Sequence, residues 1–221
     1  MTNRLLNDLR WLAEREDDPD KIAELSEYED TQIKLAVAKN PNAPDFVLQE
    51  LANHRYQNIR YWVARNFNTN KSTLEQLALD SINDVRLMVA KHHNTSSNAL
   101  KKLAVDSSID VKVSVARNDK TPTEILDQLG DDKVEAVRVA VARNESNIDP
   151  MTLDRLSKDK VWTVRRRVAG NQLTNLETLF WLEKDIDEVK SNLFENEKYL
   201  LLRRYGVAKV ARYASRWLFN R

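Results

Sequence analysis

Cysteine is absent from these 221 residues, which excludes disulfides, thiolate metal sites and cysteine nucleophiles. Glycine is nearly absent: three residues are too few for a fold built on tight hairpins or phosphate-cradling loops. That scarcity predicts an all-helical chain. Histidine is limited to His54, His92 and His93, little material for a metal centre, and no metal or cofactor is expected. No apolar run approaches the ~18 residues that would span a bilayer. The opening MTNRLLNDLRWLAERE turns acidic where a secretion signal would carry its apolar stretch, so a soluble, cytoplasmic protein is expected. Net charge is also nearly absent, because 35 basic and 34 acidic side chains leave only +1. Charge can therefore inform only through its distribution. Glycine-rich phosphate loops, Gly-x-Ser-x-Gly and His-Glu-x-x-His do not occur, and no catalytic residue is expected.

What is present is a repeat. A Val-Ala pair stands at Val37, Val63, Val89, Val115, Val141 and Val168, in steps of 26, 26, 26, 26 and 27, with a degenerate copy at Leu193-Phe194. Four residues before each comes a β-branched residue followed by a base, as in Ile59-Arg60 and Val85-Arg86. Between the phrases runs Leu-x-x-Leu, from Ile22/Leu25 through Leu74/Leu77 to Leu179/Leu182. Each period predicts two short helices with one apolar face apiece. Asp80, Asp106, Asp132, Asp159 and Asp185 stand just before the second helix, where a carboxylate can accept orphan N–H groups. Asn40, Asn66, Asn118, Asn144, Asn171 and Asn196, with His92 as the exception, stand at its end. A left-handed Asn cap is expected there, reinforced by Pro41, Pro44 and Pro122. One helix pair cannot bury both apolar faces alone, but a stack of pairs can. The expectation is an all-α solenoid of about seven repeats of ~26 residues. It divides into an acidic N-terminal cap (1–21), tandem repeats (22–196) and a basic C-terminal capping helix (197–221).

The segments DVRLMVAKHHNTSSNALKKLAVDSSI and IKLAVAKNPNAPDFVLQELA resemble the leucine-rich repeat variant family and, more widely, HEAT-like α-solenoids. The likeness covers about residues 22 to 196. It implies a right-handed superhelix of short helices, some of them 3₁₀, with a binding or scaffold role rather than catalysis. The period of 26 is slightly longer than usual for that family. The iron–sulfur cluster of some members needs cysteines that this chain lacks.

Two basic ladders are candidates for function. Lys34, Arg60, Arg86, Lys112, Arg138, Arg165 and Lys190 follow the Asp positions by six residues in most copies. In HEAT-like repeats such a pair links neighbouring repeats, which implies a structural role. The second ladder is Lys39, Arg65, Lys91, Arg117 and Arg143, more than half a turn round the helix from the Val85-type core position. Leu35, Tyr61, Leu87, Val113 and Val139 lie four residues earlier, flanked by Trp62 and Met88. A solvated face is the plain structural alternative. The functional expectation is a groove formed by Lys39, Tyr61, Trp62, Arg65, Lys91, Arg117 and Arg143. Arg166 joins it from a basic cluster with Lys158, Lys160, Arg165 and Arg167. The expected partner is a protein or peptide of acidic and apolar character. The alternative is nucleic acid, along a phosphate track. Its remote extension is a DNA glycosylase-like repair protein using Trp62, Trp162 and Asp84. Residues 1–30 carry ten acids and four bases, and residues 201–221 six bases and no acid, so head-to-tail self-association is a further possibility. Val207, Val210, Ala214, Trp217 and Leu218 form the apolar face of the tail, and Lys209, Arg212 and Arg216 its basic face.

Overall fold

The structure is a computed structural model that describes residues 3–205. The expected amphipathic tail face, Val207 to Leu218, lies outside the described residues. The chain forms two compact units, Met1–Lys120 and Thr121–Arg221. The described residues hold sixteen α-helices and no strand, and the shorter 3₁₀ elements implied by the family resemblance are not found among them.

In the first unit, long and short helices alternate. One row is α1(Asn3–Ala13), α3(Thr31–Lys39), α5(Gln57–Arg65), α7(Asn83–Lys91) and α9(Ile109–Arg117). Each helix of this row packs on the next. The other row is α2(Pro19–Ser26), α4(Asp45–Leu51), α6(Lys71–Leu77) and α8(Ser97–Leu103). The second unit repeats the scheme, with α10(Thr123–Gly130), α12(Pro150–Leu156) and α14(Leu176–Leu182) alternating with α11(Glu135–Ala142), α13(Trp162–Gly170) and α15(Asp187–Leu193). The helix α16(Glu197–Tyr205) packs on α14, where the buried Tyr199 donates its hydroxyl to Glu183 Oε1 at 3.0 Å.

Helices of seven to nine residues are too short to be stable alone. Stacking stabilises them. Leu74, Leu77, Val85, Val89 and Ala90 are all buried, and the equivalent five are buried in the repeats on either side. The short row starts on side-chain caps: Asn70, Ser96 and Asn175 accept the N–H three residues on. Pro44 and Pro122 stand at the N-caps of α4 and α10.

The ends of the long row correct an expectation. Asn40, Asn66, His92, Asn118 and Asn171 have φ between −64° and −74° and ψ between 122° and 134°. The chain leaves these helices in extended form, not left-handed, so no glycine is needed. Asn is required for its amide instead. Asn66 Nδ2 donates to Ala38 O at 2.9 Å and to Asn40 O at 2.8 Å, one repeat back, while its Oδ1 accepts the Asn68 N–H. Asn118 and Asn171 repeat the donation to the preceding repeat. The buried carbonyls that end one helix are thereby satisfied by the next repeat. Threonine hydroxyls add a second row: Thr69, Thr95 and Thr174 donate to Val63, Val89 and Val168 carbonyls at 2.5 to 2.6 Å.

Candidate docking face

The inner basic ladder joins repeat to repeat. Arg60 Nε and Nη2 grip Asp80 at 2.5 and 3.0 Å, and Arg86 grips Asp106 in the same way. In the second unit Arg138 holds Asp159 and Arg165 holds Asp185. The remaining guanidinium nitrogen donates to a carbonyl at the start of its own helix, as Arg86 does to Asp80 O at 2.7 Å. Each carboxylate also accepts an N–H at the mouth of the next helix, such as Ile82 N–H on Asp80. Burial works to raise the Asp80 carboxyl. The Arg60 hydrogen bonds, the Ile82 N–H and the charges of Arg60 and Arg86 outweigh it and hold the group below the ordinary carboxylate value. Asp106 and Asp159 behave alike. Arg10 and Asp30 extend the pattern to α1, whose packing on α3 places a helix of the stack inside the N-terminal cap.

Five residues further along the same helices, the outer ladder is built differently. Lys39, Arg65, Lys91 and Arg117 are exposed at the last residues of α3, α5, α7 and α9. The helix dipole favours a cation there. None of the four forms an ion pair with a described residue. Two of them lie instead against an aromatic face. Trp62 has Lys39 Nζ 5.1 Å from its ring centre and the Arg65 guanidinium 4.7 Å away. Tyr61 meets Trp62 edge-on at 5.8 Å. Beside them Phe67, 70% exposed, stacks on His93 at 3.9 Å with only 16° between the rings. Tyr61, Arg65, Phe67, Met88, Lys91 and His93 line one open groove between α5 and α7. Asn58 of α5 and Gln32 of α3 stand where α7 and α9 carry Asp84 and Asp110. The helix surface beside Lys39 and Arg65 thus lacks acids.

The other expected residues are placed as follows. Arg143 is exposed at the end of α11 in the second unit. Arg166 is half-buried and donates its Nε to Asn192 Oδ1 at 2.9 Å, joining α13 to α15. The basic cluster around it is not a free patch, because Arg165 is held by Asp185 and Lys158 by Asp154. Asp84 is exposed on the first turn of α7, and Trp162 lies on α13 of the second unit.

The adjacent histidines separate into two roles. His92 is buried, with Nε2 2.9 Å from Asn66 O and Nδ1 accepting the Asn94 N–H at 3.0 Å. These contacts assign the proton to Nε2, so the neutral ring offers the donor and acceptor that Asn offers elsewhere. Burial lowers its titration below the ordinary 6.5, with His93 and Lys120 pushing the same way against the bond to Asn66 O. His93 faces outward on Phe67. His54, at an Asp-ladder position, accepts the Tyr56 N–H on Nδ1 as Asp80 accepts that of Ile82.

No described helix is long and apolar enough to cross a membrane. No protein-family model matches the chain, and no curated protein matches it. Among solved structures it is similar to one described as a leucine-rich repeat variant with a novel repetitive structural motif. The identity is 25% and the TM-score 0.60, over 80% of this chain and 70% of that one. The likeness first drawn from the repeat residues is therefore found in the fold, an α-solenoid repeat.

Proposed function

We propose that the chain is a non-catalytic repeat scaffold that holds an acidic, partly apolar polypeptide segment across the ends of α3, α5, α7 and α9. One observation carries the reading: four regularly placed cations have no carboxylate partner among the described residues, two of them lie over Trp62 and a third shares a groove with Tyr61 and Phe67, while the cations of the inner ladder on α5 and α7 are each bound by a carboxylate. An unpaired cation beside an apolar surface gains most from a ligand that brings both acid and apolar groups. Arg143 stands at the equivalent repeat position in the second unit, where Arg166 has its Nε bonded to Asn192 Oδ1.

The exposed Phe67–His93 stack favours a second reading, single-stranded nucleic acid with a base on the ring pair. The near-zero net charge and the exposed Asp84 and Asp110 on α7 and α9 oppose a phosphate track there. Titration calorimetry with poly-glutamate, and in parallel with single-stranded RNA, separates the two. The scaffold reading expects heat with poly-glutamate that weakens with salt, and loses it in the Arg65→Glu/Lys91→Glu double variant. Binding of RNA alone would replace it with the second reading.

A further inference from the structure

The period of the stripe narrows what a partner lying along it would be. Lys39, Arg65, Lys91 and Arg117 occupy one position in four consecutive repeats of a single unit. Neighbouring charges are therefore separated by the step between stacked helices, ~8–10 Å. A β-strand returns to the same face every second residue, ~6.7 Å, or every fourth, ~13 Å, and neither matches. A polyproline II segment returns to the same face every third residue, having advanced ~9 Å. Such a segment has no internal hydrogen bonds, and aromatic-lined grooves suit it. Tyr61, Trp62 and Phe67 supply that lining from Lys39 to Lys91. Lys39 and Arg65 already rest on Trp62, so two of the four charges are held in place before a ligand arrives.

We infer that the stripe takes an extended polypeptide in the polyproline II form, with an acidic residue at every third position over about ten residues. The residues between the acids, prolyl or small and apolar, lie against Trp62, Met88 and Phe67. This rests on the docking reading above and adds a register to it.

The test is fluorescence anisotropy with labelled decapeptides of identical Glu, Pro and Ala composition. The four glutamates are placed at every third residue, at every second residue, or in one block. A helix-forming peptide with acids seven apart, ~10.5 Å, is added because that rise is similar. The expected result is at least ~10-fold tighter binding of the every-third peptide, about 1.4 kcal/mol. That preference should be lost in Arg65→Glu/Lys91→Glu. Equal affinity for all spacings overturns the register and leaves the docking reading standing. Tightest binding of the helical peptide overturns the extended form. Failure of every acidic peptide at low salt overturns the docking reading itself, as does tighter binding of single-stranded RNA than of any peptide.

Discussion

Arg60 and Arg65 lie on the same nine-residue helix, five residues apart, and recur together along the first unit as Arg86 and Lys91. The first of each pair is gripped by a carboxylate of the next repeat, with little of its side chain exposed. The second has no carboxylate partner among the described residues and lies in water or against an indole. Equal frequency and equal charge thus serve opposite ends. A buried cation needs its carboxylate, because desolvation without pairing is costly. An exposed cation gains little from an intramolecular pair and stays available to a ligand. Residue type does not distinguish the two ladders; the aspartate 20 residues after Arg60 and Arg86 does.

Breaking the inner ladder should have the largest effect. Asp106→Ala strands the Arg86 guanidinium and should cost ~3 kcal/mol in urea unfolding, while Arg65→Ala changes stability by less than ~0.5 kcal/mol. Equal losses would erase the distinction. Next comes Asn66→Asp, which turns an amide donor into an acceptor facing the Ala38 and Asn40 carbonyls. A loss of ~2–3 kcal/mol is expected, larger than for any substitution of its exposed neighbour Arg65.

Acid should act on the inner groups and spare the outer ones. His92 titrates below 6.5, so its contribution is complete above that pH and is lost as pH falls from there through its lowered value. Melting curves should show His92→Asn losing less stability than the parent from pH 7 to 5, the loss that remains coming from His54, which also titrates below 6.5 because of its burial. The ladder aspartates titrate below 3.8, so their contribution is present above that pH and lost as pH falls below it. A parallel fall in both proteins between pH 7 and 5 would remove the role given to His92. The smallest effect is expected for Lys91→Ala, within ~0.5 kcal/mol at any of these pH values.

Much of the fold was legible because the repeat forces it: the Val-Ala phrase, Leu-x-x-Leu and the Asp–Arg interval each mark a buried position. The Asn position was legible and its reason was not. A left-handed cap is a local inference, whereas the amide bonds reach residues 26 and 28 positions away. The threonine row is not legible in the sequence because Thr69 and Thr95 stand in a polar loop that gives no apolar signal. The Phe67–His93 stack has a signal in the sequence, since the two are one 26-residue period apart. Arg166 stands in the column of Tyr61 and Val139, two before Val168, and its bond to Asn192 was not legible because the partner lies 26 residues away.

The most direct measurement is the triple reversal Arg65→Glu, Lys91→Glu and Arg117→Glu, assayed for urea unfolding and for capture of an acidic peptide on one preparation. The account predicts an unfolding free energy within about 1 kcal/mol of the parent and no capture. Retained capture, or unfolding as severe as that of Asp106→Ala, would contradict it.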